Sequence, residues 1–533
     1  MIYIDDEPIR RDRSRETEED ADVDLDGRVE GRIINKVEAP MEETPFRVLL
    51  ELKGIGGGEG RLGLDLVTVL DISGSMSGKK LGRLKLAMQF LLQKLGPTDR
   101  LSVVTFNRNA QRLCPLRQIT DDSRIGIENL VNVIQASGST NTAAGLQLAV
   151  DVLDGRTITK RRRTAIMLMS DGDENGDSDA ASVPVGKVPI YTFGFGKDYN
   201  PEVLSVIAAK SNGGMFSAVP HLDNLGIAFS QCLAGLLNVV TEDLSLTMTP
   251  LHSTTFKEVK AGIYPQSTNE DTGSVTVSFG SLYDRETRRI LVELLLPAVR
   301  NRMSMAIITI TYKYRVCGSD TFKTEQRSIH ISRKGTSTEP EIEEVMIEEK
   351  RLLIVTMMKQ ARSLAEAYNL EAAQEKLINA RQYLSDEVDG MLKSDLDQLI
   401  LLMESMDTYY EKGRSFALSS EASHDRQRFA ARGDVEKLRF FNTPLMDLYL
   451  KQALAFDEDP TMPVPTKEED RKAISVDKPM DVKNETIGIN RNFGSLFGSL
   501  MKYIYMIVQF VKAIANRMKL WEPVVGNLGV GRE

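Results

Sequence analysis

Asp71-Ile72-Ser73-Gly74-Ser75 sets one carboxylate and two hydroxyls in alternation along the chain. Alternate residues of an extended loop share a side, so the three oxygens face one way. Gly74 lets that backbone turn tightly. Two further segments carry the same kind of donor, Ser139-Thr140-Asn141-Thr142 and Ser170-Asp171-Gly172. Oxygen donors without Cys or His select hard cations, Mg²⁺ first, with Mn²⁺ or Ca²⁺ as alternatives. Asp71, Ser73, Ser75, Thr140 and Asp171 together would leave an octahedral ion one open coordination position.

Little else in the chain competes as chemistry. No nucleophile–base pair stands out, nor a phosphate loop of the Gly-x-x-x-x-Gly-Lys type, so no catalytic residue is assigned. The four histidines, His221, His252, His330 and His424, lie outside the three oxygen-rich segments. Cys114, Cys232 and Cys317 are odd in number and far apart, which excludes a disulfide framework and a four-ligand zinc site. Asp22, Asp24, Asp26 and Gly27 match the first half of an EF-hand loop, but Ile33 stands where its bidentate Glu is required. Arg432-Gly433-Asp434 spells an integrin ligand and reads as chance.

Strand ends and a helix start must position the oxygen donors. Leu66 to Leu70, Leu101 to Phe106 and Ala165 to Met169 are short apolar runs bounded by turn residues, as buried parallel strands are. Pro189 to Phe193 is a fourth. Leu81, Leu84, Met88, Leu91 and Leu95 recur at helical spacing, and Gly96-Pro97 stops that helix. Ala143 to Leu153, Pro201 to Lys210 and Leu222 to Val239 also read as helices. This alternation predicts an α/β fold, a doubly wound parallel sheet over 64–240 with ligands at the carboxyl ends of its strands.

The flanks read differently. Residues 1–28 form an acidic leader, with 11 acidic and 4 basic side chains in the first 26 of them, and its composition predicts disorder. Residues 29–63 give N-terminal strands and a Gly-rich loop, Gly54 to Gly63, joining a β-sandwich. Over 241–334 the period changes to two with no helix between strands, which predicts that antiparallel sandwich. Residues 341–413 predict a helical bundle with breaks near Tyr368-Asn369 and Ser385-Asp386. The 414–490 segment is irregular, and 491–533 forms an apolar C-terminal helix and tail.

Composition bounds the class. The chain has 533 residues, 41% hydrophobic and 27% charged, as a soluble multidomain protein has. Its net charge is −9, and it shows no concentrated basic patch of the kind nucleic acid requires. Lys160 to Arg163 reads as a solvated turn. The opening residues lack a basic region and an apolar core, so no signal peptide is expected and the protein is placed in the cytoplasm. For Phe493 to Met518, packing on the bundle is weighed against association with a membrane surface or a tail anchor.

The pattern Asp71-x-Ser73-x-Ser75, with Thr140 and the Asp171-Gly172 pair in order, resembles the metal-ion-dependent adhesion site of the von Willebrand factor A domain. That resemblance implies a bound divalent metal whose open position accepts a carboxylate, so the expected partner is a protein presenting an Asp or Glu. Asp5-Asp6-Glu7-Pro8, the domain order, Ser423 to Arg428 and Ala431 to Asp434 are similar to plant von Willebrand A proteins that often bear a RING finger. The chain departs from that ligase pattern, since it holds no Cys/His cluster for a RING. The reading favoured is an adaptor or scaffold. The alternatives are a metal-assisted hydrolase, or a component of a ubiquitin-ligase assembly lacking its own RING.

Overall fold

The computed structural model describes residues 27–56, 61–172, 179–317, 319, 321–335, 340–385, 389–433 and 438–476. The acidic leader, apart from its last two residues, and the 491–533 tail lie outside the described residues. So do Asp173, Glu174 and Asp177.

The central sheet has the order β6-β5-β4-β7-β8-β9. Its strands are β4 (Gly63–Asp71), β5 (Arg100–Phe106), β6 (Ala110–Gln118), β7 (Arg162–Gly172), β8 (Ile190–Asp198) and β9 (Met215–Val219). Every residue of β4 is buried, because helices cover both faces. Helices α1 (Lys79–Lys94), α2 (Asp121–Asn132) and α5 (Leu225–Leu237) pack on one face. Helices α3 (Thr142–Asp154) and α4 (Pro201–Lys210) pack on the other. From β4 the chain moves outward to β5 and β6, then returns to β7 on β4's other side. The strand order therefore reverses beside β4, and Asp71 ends that strand. A reversal point is where a doubly wound sheet opens a crevice. The sheet is not wholly parallel, since edge strand β6 runs antiparallel to β5.

This domain interrupts a β-sandwich. Strands β1 (Arg28–Asn35), β2 (Glu38–Pro40) and β3 (Thr44–Ile55) precede it. Strands β10 (Val239–Pro250), β11 (Thr255–Lys260), β12 (Gln266–Asn269), β13 (Ser274–Tyr283), β14 (Thr287–Leu296), β15 (Met303–Val316) and β16 (Phe322–Lys334) follow it. They form two sheets, β1-β3-β14-β11 and β12-β13-β10-β15-β16-β2. Strand β3 pairs antiparallel with β14 from Thr44 opposite Leu296 to Lys53 opposite Thr287. Alternate residues of both sheets, among them Val48, Leu50, Leu246, Val292 and Ile308, fill the space between them.

Helices α6 (Glu343–Glu366), α7 (Leu370–Arg381), α8 (Gly390–Leu402), α9 (Met406–Thr408) and α10 (Arg414–Arg426) follow. Gln427 adopts φ 48° and ends α10. The chain then runs as a strap. Arg428 donates to both carboxylate oxygens of Glu286 at 2.7 and 2.9 Å and to the Gly213 carbonyl at 3.1 Å. The Ala218 amide of β9 donates to the Ala431 carbonyl at 2.8 Å. One short segment thus binds the sandwich and the edge of the central sheet. Helices α11 (Pro444–Glu458) and α12 (Lys467–Val476) complete the described chain.

Several features depart from the sequence reading. The described part of the 414–490 segment is largely helical, holding α10, α11 and α12 with irregular chain only between them. Gly54 belongs to β3, not to a loop, and a Cβ there would collide with the Tyr283 carbonyl. The basic run is not a solvated turn throughout. Arg162 and Arg163 open β7, Arg162 is paired with Asp65, and Arg163 donates to Glu242 at 2.8 Å. Asp65 itself accepts from Arg100, Arg156 and Arg162 at 2.7 to 2.8 Å. Arg432 is buried against Asp395 at 2.8 and 2.9 Å, which withdraws it from any integrin-type ligand.

Candidate functional site

Strand β4 delivers Asp71 to the sheet's carboxyl edge, buried. The next turn folds back on it. The Ser73 amide donates to Asp71 Oδ1 at 2.8 Å, and Ser73 Oγ lies 3.0 Å from Ser75 Oγ. Strand β7 runs parallel to β4 and delivers Asp171 beside it, also buried. Ser75 Oγ donates to Asp171 Oδ1 at 2.8 Å. Ser170 Oγ donates to Asp71 Oδ2 at 2.8 Å and so fixes the outer oxygen of that carboxylate.

Thr140 arrives from the loop before α3. Asn141 caps that helix, its side chain accepting from the Ala144 amide at 2.9 Å. The loop is pinned at three points: Gly74 N to Gly138 O at 2.9 Å, Ser137 N to Ile72 O at 2.8 Å, and Asn141 N to Asn107 O at 2.8 Å. Gly172 shows how close the pieces come. A Cβ at that position would lie 3.2 Å from Thr140 Oγ1 and 3.5 Å from Ser75 Oγ. The glycine therefore keeps the space between these hydroxyls open.

Burial pushes the Asp71 carboxyl above its ordinary value, and the Asp171 carboxylate adds to that. Hydrogen bonds from Ser73 and Ser170 act in the opposite sense. Two carboxylates in one crevice are poorly neutralised by hydroxyls alone. Lys80, in the first turn of α1, extends its ammonium onto Asp171 Oδ2.

A divalent ion fits this donor set. The five residues offer only oxygen, two of them as carboxylates, around a space that a methyl group would fill. Among the described residues no group of three or more His, Cys, Asp or Glu is placed to hold a metal, so a site here depends on the hydroxyls.

Residues 65–231 match the von Willebrand factor type A domain family. The segment 65–231 is a von Willebrand factor type A domain. Residues 386–455, which carry α8 to α10, the strap and most of α11, match a family described as VWA / Hh protein intein-like. The chain is 30% identical over 258 residues to the E3 ubiquitin-protein ligase WAV3 of Arabidopsis thaliana, covering 45% of this chain and 32% of that protein. It is 26% identical over 379 residues to the E3 ubiquitin-protein ligase WAVH1 of the same plant, covering 67% and 50%. The chain thus spans a third to a half of the length of these relatives. A solved structure, a von Willebrand factor type A protein from Catenulispora acidiphila, shares the fold at a TM-score of 0.59 and 15% identity, covering 77% of this chain and 99% of that one.

In the von Willebrand A domain, Asp71, Ser73, Ser75 and Asp171 form one hydrogen-bonded chain, and Thr140 joins it across Gly172. Sequence reasoning passed over Lys80 and the role of Ser170. A signal for Lys80 existed. Lysines 79 and 80 open α1 with no acidic residue in its first turn, against the helix dipole, and an anion nearby is what such a placement asks for.

Proposed function

We propose that this chain is a metal-dependent protein-interaction module, an adaptor or scaffold, whose von Willebrand A domain engages a carboxylate on a partner protein. Asp71, Ser73, Ser75, Thr140 and Asp171 hold Mg²⁺, with Mn²⁺ or Ca²⁺ as substitutes. The bound ion supplies one open position for a hard anionic oxygen. The partner then presents an Asp or Glu at the centre of its contact surface, and the surrounding loops supply specificity. The observation that carries this reading is the convergence of five oxygen donors, from three loops, around the space that Gly172 keeps open.

The names of the plant relatives favour one refinement: the module recruits a protein to a ubiquitin-ligase assembly. Metal-assisted hydrolysis would need a general base beside the ion. Among the described residues, the side chains hydrogen-bonded to the five residues from outside are Ser170 and Lys80, and neither suits that role. The proposed compartment is the cytoplasm. Among the described residues no helix is long and apolar enough to cross a membrane.

Thermal denaturation with and without Mg²⁺ tests the metal site. An ion that binds only the folded chain raises its stability by about 2.7 kcal/mol at a hundredfold excess over its dissociation constant. Asp71→Ala should fold and lose that rise. An equal Mg²⁺ response in the wild type and the variant would overturn the assignment.

A further inference from the structure

Beside the proposed metal site, where Asn141 next to Thr140 meets the β5–β6 turn, lies a second feature that the proposed function leaves unused. It is a groove of about 570 Å³ between the β5–β6 hairpin and α3. Arg108, Arg112 and Asn141 line it, with Gln147 and Asp151 further along α3. Its character is polar and cationic. Arg108 sits in the three-residue turn between β5 and β6, is exposed, and takes part in no hydrogen bond or ion pair among the described residues. Arg112, which is already engaged elsewhere, lies on the same wall. The single carboxylate in the lining, Asp151, already accepts from Gln147 Nε2 at 2.8 Å.

The groove and the site share one hinge of backbone. Asn141 N donates to Asn107 O at 2.8 Å. Thr140 precedes the first of these residues and Arg108 follows the second. Two virtual bonds of ~3.8 Å and one ladder spacing of ~4.8 Å bound their Cα separation at about 12 Å. The Asn107 side chain braces the junction by donating to Ser137 O at 2.9 Å. A segment anchored at the site and leaving over Thr140 therefore passes Arg108 within a few residues. An extended strand rises ~3.3 Å per residue, and the arginine covers part of the distance, so the matching position is about two to four residues away.

From this arrangement we infer that the partner segment is bipartite and acidic: one carboxylate on the metal, and a second, two to four residues along, read by Arg108. This rests on the adhesion-site reading and adds a specificity element to it. The hairpin turn selects among the many proteins that expose a lone Asp or Glu. An arginine pairs with a carboxylate through two parallel hydrogen bonds, which also fixes the direction in which the segment runs.

The test uses the full chain over sensors densely loaded with synthetic peptides of Gly and Ser, carrying either one Asp or two Asp separated by zero to six residues. Binding is read by biolayer interferometry in Mg²⁺, in EDTA, and at two salt concentrations. The expected result is metal-dependent retention of all acidic peptides. Retention should be about fivefold tighter for two acids with one to three intervening residues, as one exposed ion pair contributes. That gain should vanish in Arg108→Gln, survive in Arg108→Lys at reduced size, and shrink at high salt. Binding of the one-acid peptide should be the same in all three proteins. Metal-dependent binding with no preference for a second acid would overturn the inference and leave the adhesion site standing. A preference that persists in EDTA would overturn it too, since the groove would then act alone. Retention of no peptide in Mg²⁺ would overturn the adhesion-site reading, and this inference with it.

Discussion

On the proposed reading, Lys80 and a divalent ion compete for Asp171. The ammonium rests on Asp171 Oδ2, with the lysine side chain 20% exposed and the carboxylate fully buried. A metal that takes this carboxylate, directly or through water, must displace the ammonium or sit beside it, and both cost affinity. The gross attraction of such a pair is about 4 kcal/mol at 4 Å in a medium of effective dielectric 20. Desolvation of the ammonium and loss of lysine rotamers offset most of it, leaving about 1–2 kcal/mol. Lys80→Gln should therefore raise Mg²⁺ affinity by about five- to thirtyfold. Isothermal titration of the full chain with Mg²⁺ measures this directly. Lys79→Gln is the control, because it removes the same charge one residue away from an exposed side chain. Its effect should be small and screened by salt. Equal affinities in the two variants would refute the competition argument. A weaker Mg²⁺ affinity in Lys80→Gln would show instead that the lysine supports the site.

Gly172→Ala places a methyl 3.2 Å from Thr140 Oγ1 and 3.5 Å from Ser75 Oγ. It should weaken Mg²⁺ binding about tenfold or more by titration, while the apo melting temperature moves by only a few degrees. Asp65→Ala strips a buried carboxylate from Arg100, Arg156 and Arg162 at the opposite end of β4. By urea denaturation it should cost about 3–5 kcal/mol, with the Mg²⁺ response of the folded protein unchanged. Glu286 is buried, which would raise its pKa, but Arg288 and Arg428 overcome that and hold it down to about 2 against an ordinary value of 4.5. Its folded-state pKa is depressed, so its contribution of about 3 kcal/mol is complete above pH ~5 and is lost as pH falls toward 2. Stability measured by urea denaturation between pH 6 and 3 should fall with a slope that Glu286→Gln reduces, and an unchanged slope would count against the ion triad.

The convergence of the five oxygen donors was legible in the sequence because each donor lies at a strand end or a helix start. Apolar runs such as Ala165 to Met169 mark where the chain leaves the sheet, and the oxygens stand immediately after. Lys80 was less visible, because its partner Asp171 is far along the chain and only the fold brings the two together. Strand β6 was missed for a different reason. It carries Pro115 and charged residues on an edge, where proline is tolerated and alternation is weak. Strand β16 opens with seven exposed residues, so it gives no buried period to read. Helix α10 hid because much of its buried face is serine rather than leucine. Ser419 Oγ donates to Ala431 O at 2.9 Å, and Ser423 Oγ donates to Arg428 O at 2.7 Å. Such polar burial is stabilised by hydrogen bonds that hydropathy cannot register. The strap after it needs arginines at fixed positions, and their acceptors, Glu286, Gly213 and Asp395, are distant in the chain.

Anomalous scattering from crystals of the chain grown with Mn²⁺ tests the central claim most directly. The account predicts one strong peak bordered by Ser73 Oγ, Ser75 Oγ, Thr140 Oγ1 and the carboxylates of Asp71 and Asp171. Its direct ligands should lie at about 2.1–2.2 Å, with Lys80 turned away from Asp171 and a water or a neighbouring carboxylate in the remaining position. Absence of a peak in that crevice at millimolar Mn²⁺, with Lys80 still seated on Asp171, would contradict it.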